Sequence, residues 1–184
     1  MNAVGFPSGV AGVPAEVIES LSPVVLKRRE LRADSGGPGT WRGGLGQLTE
    51  FARRGEGKWS VSSIADRTEY PAPGLLGGKA GALGAVTMED GKKLHAKALK
   101  DLQNNDIVHV DLPGGGGYGD PLERDPQKVL WDVIEGYVTA DEAENKYGVS
   151  IRYEGNERDL VRLPGDWHVD LARTASLRGT KVVD

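Results

Sequence analysis

Four consecutive glycines, followed by an aromatic residue, a fifth glycine and an aspartate, are where the sequence first suggests chemistry. A folded domain keeps such a run for close backbone approach, for positive φ angles, or to aim backbone N–H groups at a ligand. Because Asp125 and Pro126 predict a helix N-terminus soon afterwards, the run is a candidate anion-binding nest. A tight structural turn is the alternative. The candidate residues are Gly114, Gly115, Gly116, Gly117, Tyr118 and Asp120.

The best-known sequence motifs for phosphates and metals do not occur here. No Lys-Ser/Thr pair follows the glycines, as a P-loop requires, and no suitably spaced acidic residue marks a dinucleotide fingerprint. The histidines, His95, His109 and His168, lie far apart and form neither an HxH nor an HxxxH pattern. The residues therefore predict no metal ligand within this chain.

A second candidate lies in residues 34–46, which read DSGGPGTWRGGLG. An exposed arginine between glycine-rich turns can reach a carboxylate or phosphate with little hindrance, which makes Arg42 a candidate anion ligand. A hairpin connection whose arginine pairs with Asp34 is the alternative. Ser35 is a weak candidate nucleophile because no base is adjacent to it in sequence. The remaining members of this group are Gly36 and Gly37.

Asp66 and Arg67, at the end of a predicted strand, form the third candidate. Loops and strand ends carry many binding residues, although a local ion pair at the rim of a sheet is the alternative. The loop that follows, residues 68–84, contains two prolines and five glycines. A loop of this length in a compact domain is typically functional or covers another surface.

The elements that position these residues predict an α+β fold in a single domain of residues 1–184. Residues 1–22 read as a packing arm, with a turn at 6–9 and either a helical turn or an extended stretch at 14–20. Residues 23–112 read as antiparallel or mixed strands and hairpins joined by long glycine-rich loops. The predicted strands cover residues 23–33, 47–53, 58–65, 85–88, 92–96 and 106–112, with a hairpin turn at 89–91.

Two to three helices are predicted in the last part, residues 113–184, after the glycine run. The first begins at Asp125-Pro126 and carries an apolar stripe as far as Tyr137, with Trp131 expected in the core. The second opens with a capping box at residues 139–142 and ends at Gly148, and a strand is predicted at 149–153. The third covers about residues 169–177.

The composition excludes several classes of function. A formal charge of −4 argues against nucleic acid or an anionic membrane surface as a general partner. No apolar run approaches the roughly 18 residues of a membrane span, and the first residues lack the pattern of a secretory signal. The absence of cysteine excludes disulfides and thiolate chemistry and favours a cytoplasmic location.

Several blocks in order resemble the hydantoinase B family, which includes N-methylhydantoinase, ATP-dependent 5-oxoprolinase and the alpha-type subunits of acetone carboxylase. The blocks are DSGGPGTWRGGLG (34–46), ADR (65–67), GLLGGKAGALG (74–84) and LPGGGGYGDPLERDP (112–126). FPSGVAGVPAE (6–16), the stretch from 129 to 149 and the last helix also resemble the family. Members of the family are much longer, and the chain looks like their C-terminal third.

The resemblance implies ATP-dependent chemistry on a cyclic amide. An A-type subunit would phosphorylate the substrate carbonyl oxygen, and the B-type subunit would guide attack by water in a hydrolase or by a carbanion equivalent in a carboxylase. The implied assembly is a hetero-oligomer of this chain, the remaining N-terminal part of the B-type subunit and an A-type subunit, acting on a small molecule.

Three functions stay open from the sequence. They are part of a cyclic-amide hydrolase, part of a ketone carboxylase, and a non-catalytic assembly module. The resemblance implies ATP and a divalent metal in the complete complex, with neither bound by this chain alone. The family's metal-binding acidic and histidine residues are expected in the part of the B-type subunit that this sequence does not match.

Overall fold

The computed structural model describes residues 12–156, 158 and 162–179, and its fold is α+β, as the sequence predicts. The predicted turn at residues 6–9 lies outside the described residues. One helix precedes the strands and the others follow the glycine run. The strands are β1 (Val24–Leu31), β2 (Gln47–Arg53), β3 (Trp59–Ile64), β4 (Ala85–Met88), β5 (Lys97–Leu102), β6 (Val108–Asp111), β7 (Ile151–Tyr153) and β8 (Trp167–Val169). The helices are α1 (Ala15–Leu21), α2 (Pro126–Ile134), α3 (Ala140–Tyr147) and α4 (Leu171–Arg178).

A four-stranded antiparallel sheet in the order β1-β2-β6-β4 forms the main part of the β-rich region. Strand β2 has the predicted bounds, and β6 occupies the middle of the predicted segment 106–112. Strand β6 lies between β2 and β4, and its last residue, Asp111, pairs with Leu48 and Ala85. The glycine run therefore leaves directly from an inner strand of this sheet.

A second, two-stranded sheet pairs β3 with β5 and packs on the first. Its buried residue Leu102 joins Val86 and Val108 of the main sheet in one hydrophobic cluster, and Trp59 and Val61 pack against that cluster. These contacts make the β-rich region a small two-layer structure with the core between the layers.

The predicted strand at residues 92–96 is wrong. Asp90-Gly91 forms the expected tight turn, with Gly91 at φ +80°, but the pairing with β4 ends after a single bridge between Thr87 and Lys93. The next strand is β5, which pairs with β3 because this places the side chain of Leu102 in the core. A local sequence pattern cannot show this pairing, since β3 lies more than thirty residues earlier.

Helices α2 and α3 form a separate hydrophobic core with the β7–β8 hairpin. Asp125 caps α2 and Thr139 caps α3, each with its side-chain oxygen accepting a backbone N–H, as the sequence predicts. Gly148 ends α3 in the left-handed conformation. The buried residues of this core are Val129, Val133, Val138, Ala143, Tyr147 and Val149.

Three details of the helical part differ from the sequence prediction. Helix α2 ends at Ile134 and not at Tyr137, because the chain reverses at Gly136, which has φ +71°. Trp131 is 54% exposed and not in the core, because it projects away from the buried stripe of the helix. Helix α4 begins at Leu171, since the Asp170 carboxylate accepts the Arg173 N–H and fixes the helix start there.

Helix α1 resolves the alternatives for residues 14–20 in favour of a helix, which packs against β1. The Glu19 side chain accepts the backbone N–H of Leu26, which ties the helix to the edge strand. None of the helices in the described part of the chain is long and apolar enough to cross a membrane.

Candidate functional site

The glycine-rich segments 36–46, 74–84 and 114–117 pack against one another, largely backbone against backbone. A Cβ built on Gly114 would lie 1.6 Å from the carbonyl oxygen of Ser35, and one on Gly116 would lie 1.9 Å from that of Pro73. None of the glycines 114–117 has a positive φ. Of the three reasons for a glycine run, close backbone approach is the one that applies here.

Three of the four backbone N–H groups of this run donate to backbone carbonyls. Gly114 donates to Ala82, Gly115 to Gly44 and Gly117 to Lys79, at 2.9–3.1 Å between nitrogen and oxygen. The anion-nest interpretation is therefore wrong for these three N–H groups, which join three separate segments of the chain. We refer to the segments so joined, 36–46, 74–84 and 114–117, as the glycine core.

Arg42 is not the exposed side chain that the sequence suggests, and its partner is not Asp34. Its Nε lies 3.2 Å from Asp132 on α2, and its Nη1 donates to the Gly43 carbonyl. Arg124 holds the same carboxylate from the other side at 2.8 Å, and its Nη1 donates to the Thr40 carbonyl. All three side chains are at most 15% exposed, so this is a buried, charge-assisted network.

The sequence reasoning missed Asp132 and Arg124. The signal for Asp132 was its position between Val129 and Val133, since a carboxylate beside the buried stripe of a helix needs a cationic partner. Its partner Arg42 lies 90 residues earlier, so the pairing itself is invisible to local patterns.

Three further predicted residues also have structural hydrogen bonds. The buried Ser35 hydroxyl donates to the Arg32 carbonyl at 2.5 Å and accepts the Gly46 N–H at 2.8 Å, which leaves it unsuited to act as a nucleophile. Asp34, at φ +58°, accepts the Thr139 N–H and so connects the glycine core to the start of α3. Asp120 caps a short 3-10 helix, Pro121–Glu123.

Tyr147 is the buried titratable residue next to this network. It is 1% exposed, and its hydroxyl has no hydrogen-bond partner within the described residues. The pKa of Tyr147 is raised to about 12, mainly by burial; Arg124 and Arg42 oppose this rise, and the carboxylates of Asp132 and Asp34 add to it. The hydroxyl therefore stays neutral at physiological pH.

Asp66 and Arg67 line a cleft of about 580 Å³ where the two sheets of the β-rich region diverge. Arg67 has a left-handed backbone, at φ +55°, which is uncommon for a residue with a side chain. Asp111 lines the same cleft, and within residues 12–156 no hydrogen bond or ion pair engages the charged groups of these three side chains. The apolar walls include Phe51, Val61, Val86 and Val110.

This combination is the arrangement typical of small-molecule sites: an apolar pocket with a few polar groups free to bind. Asp66 and Arg67 do not form the local ion pair that was the alternative, and within the described residues no partner engages their charged groups. Asp111 was not predicted because the sequence does not show that the end of its strand lies in the same cleft as Asp66 and Arg67.

Among the described residues, no group of three His, Asp or Glu side chains is close enough to hold a metal ion. The N–H groups of Gly114, Gly115 and Gly117, which a phosphate would need, are already engaged. No step of a reaction through ATP or metal is therefore assigned to this chain's own residues.

Comparison with known proteins gives a family match over residues 3–121, described as hydantoinase B/oxoprolinase. A Pseudomonas sp. (strain NS671) protein, provisionally named as the B subunit of a D-/L-hydantoinase, is 37% identical over 75% of this chain and 24% of its own length. The caprolactamase beta subunit of Pseudomonas jessenii is 36% identical over 77% of this chain and 25% of its own length. This chain thus spans about a quarter of these relatives, both of which are named as subunits.

Two solved structures have a similar fold. The ATP-dependent caprolactamase from Pseudomonas jessenii matches with a TM-score of 0.71 and 28% identity, over 91% of this chain and 28% of that one. Nucleotide-free acetone carboxylase matches with a TM-score of 0.65 and 24% identity, over 94% of this chain and 26% of that one. At that identity the second match shows the fold alone.

Proposed function

The chain belongs to the hydantoinase B/oxoprolinase family, and we propose that it is the C-terminal module of an ATP-dependent cyclic-amide hydrolase. The observation that carries this proposal is the 36% identity to the caprolactamase beta subunit, together with the fold shared with the solved caprolactamase. In this proposal the module acts in the cytoplasm, only together with the rest of a B-type subunit and an A-type subunit.

The chemistry of such an enzyme divides between the subunits. An A-type subunit would transfer the γ-phosphoryl group of ATP to the amide oxygen, which removes amide resonance and activates the carbonyl carbon. That transfer would release ADP. One water would then add to the carbon and the C–N bond would break, leaving an acyl phosphate and the freed nitrogen; a second water would hydrolyse the acyl phosphate to the ring-opened carboxylic acid and phosphate. The contribution proposed for this chain is to shape the site or interface through which a B-type subunit guides the water.

The cleft lined by Asp66, Arg67 and Asp111 is the part of the chain best suited to contribute directly. Its apolar walls fit the methylene groups of a ring, and the Arg67 guanidinium is free to donate hydrogen bonds to an anionic oxygen. We therefore expect Arg67→Ala to lower kcat/KM of the reconstituted enzyme at least about tenfold, the loss of one charge-assisted hydrogen bond.

Arg54→Ala is the matched control, since Arg54 is 63% exposed and has a surface ion pair with Glu19. If both variants were as active as the wild type, the cleft would have no part in catalysis. That result would favour the third function, in which this chain only assembles other subunits.

A ketone carboxylase is the second candidate. The acetophenone carboxylase delta subunit of Aromatoleum aromaticum is 29% identical over 98% of this chain, a longer match than that to the caprolactamase protein. Turnover by the reconstituted complex separates the two. We expect ATP-dependent ring opening of caprolactam, hydantoin or 5-oxoproline that does not depend on bicarbonate. Bicarbonate-dependent carboxylation of a ketone, with no ring opening, would show that the hydrolase proposal is wrong.

A further inference from the structure

Three apolar side chains stand exposed next to one another on the glycine core. Trp41 is paired with Tyr118 in an antiparallel bridge, and Leu75 is paired with Tyr118 in a parallel bridge on its other side. Directly opposed residues of neighbouring extended segments project to the same side. Trp41 is 60% exposed, Leu75 63% and Tyr118 47%. We call these three residues the aromatic face.

The backbone beneath the aromatic face is held firmly in place. Trp41 and Tyr118 each donate an N–H to the other's carbonyl at 2.9 Å, and the Leu75 N–H donates to Gly117 at 2.9 Å. A Cβ on Gly39 would lie 2.6 Å from the Tyr118 nitrogen, so no side chain separates these segments. Rigid, exposed Trp and Tyr side chains are the residue types that dominate binding energy at protein interfaces.

Apolar groups clustered on a fixed backbone mark an interaction surface more specifically than apolar residues scattered singly. Ile64 and Leu99, on the outer side of the β3–β5 sheet, are more exposed than the aromatic face but have Ser62 and Lys97 beside them. The Lys128 ammonium lies 4.8 Å from the centroid of the Trp41 ring and adds a cation at the margin of the aromatic face.

We propose that the aromatic face docks onto the remainder of a B-type subunit. This inference rests on the proposed function, in which the chain is a module of that larger polypeptide. In the caprolactamase structure the matching fold is 28% of the polypeptide, so in that relative it is joined to far more chain than it contains itself. All three residues lie inside the family match at 3–121, which places this surface in the part of the fold shared with those longer proteins.

The test uses the caprolactamase beta subunit from Pseudomonas jessenii from which the segment matching this chain has been deleted. We expect this remainder to bind the full chain, and the double variant Trp41→Ser/Tyr118→Ser to bind at least about thirtyfold more weakly. The control Ile64→Ser/Leu99→Ser removes two apolar side chains that are more exposed than Trp41 and Tyr118 and lie elsewhere, and it should bind within about twofold of the wild type.

Unchanged binding by Trp41→Ser/Tyr118→Ser would overturn the proposal. So would a remainder that binds its own excised segment but not this chain. The free chain could instead form a dimer that the double substitution dissociates, and fail to bind the remainder. That result would identify a second copy of the chain as the occupant of the aromatic face. Binding to the remainder does not require ATP. If the chain binds but the reconstituted enzyme then shows no turnover, the proposed hydrolase function is wrong and the docking proposal still stands.

A second measurement covers the case in which the severed remainder does not fold. This chain replaces the homologous segment within the intact caprolactamase beta subunit, and hydroxyl-radical labelling reads the exposure of Trp41 and Tyr118. We expect both side chains to be labelled several-fold more slowly in the folded chimera than in the free chain. Equal labelling in a chimera of native melting temperature would overturn the proposal.

Discussion

Gly114 shows how little room the glycine core leaves for a side chain. A Cβ added to Gly114 would lie 1.6 Å from the carbonyl oxygen of Ser35. Neither atom could rotate away, because the Cβ is bonded directly to Cα and the oxygen belongs to the backbone. The hydroxyl and carbonyl groups around Ser35 are themselves engaged by Gly46 and Ala82. Accommodating one methyl group would therefore require whole segments to shift.

We expect Gly114→Ala to lower the free energy of unfolding by about 3 kcal/mol, at the upper end of overpacking effects. The corresponding drop in melting temperature is about 2–4 °C for each kcal/mol in a chain of this size. Gly165→Ala is the control, because a Cβ there meets nothing within 4 Å and its φ is not positive. Thermal unfolding followed by circular dichroism measures both, and equal melting temperatures would contradict the close packing described above.

Tyr147 leads to a prediction about pH. An unfolded tyrosine ionises near pH 10, whereas the folded state holds the pKa of Tyr147 at about 12. Between these values the unfolded chain releases a proton that the folded chain keeps, so stability falls as pH rises. The contribution of the neutral hydroxyl is thus fully present below pH 10 and is lost as pH rises towards 12.

We expect wild type to lose roughly 1 kcal/mol more stability between pH 9 and pH 11 than Tyr147→Phe does. At pH 7 the variant should be as stable as wild type or slightly more so, since the buried hydroxyl has no partner among the described residues. Tyr70→Phe, at a position that is 80% exposed, should follow wild type throughout. Urea unfolding across this pH range provides the measurement, and parallel curves for wild type and Tyr147→Phe would contradict the argument.

Helix α2 is tied to the glycine core through a single carboxylate. Asp132 accepts hydrogen bonds from Arg42 and Arg124, and removing its charge would leave two guanidinium groups buried without compensation. We expect Asp132→Asn to destabilise the fold by about 3–5 kcal/mol. Glu30→Gln, at a half-exposed surface ion pair with Arg28, should change stability by less than about 1 kcal/mol. Comparable urea midpoints for the two variants would show that the network contributes no more than a surface pair.

Elements defined by local patterns were predictable from the sequence, and contacts between distant segments were not. The caps at Asp125 and Thr139, and the bounds of β2, depend on neighbouring residues alone. The pairing of β5 with β3 and of Arg42 with Asp132 depends on where distant segments meet. The same limit applies to the glycine run. Its composition fits a ligand-binding nest and a packed core equally well, and only the segments that contact it in the fold distinguish the two.

The described part of the molecule contains two hydrophobic cores that are joined by polar and backbone contacts. The core between the two sheets includes Leu102, and the core of the helical part includes Tyr147. Between them, the Asp34 N–H donates to the Tyr137 carbonyl at 3.0 Å, and its carboxylate accepts the Thr139 N–H at 2.8 Å. The Arg42–Asp132 ion pair is a further connection. These connections favour a single cooperative unit over two independent ones.

Single-tryptophan variants can test that cooperativity. Trp59 packs on the core between the sheets, and Trp167 packs on the helical core. Replacing the other three tryptophans by phenylalanine gives one variant that reports on each core. We expect fluorescence of the two variants and far-UV circular dichroism to share one urea midpoint, because loss of either core breaks the connections that stabilise the other. Two separated midpoints would show instead that the sheets and the helices unfold independently. The glycine core would then unfold together with only one of these two parts.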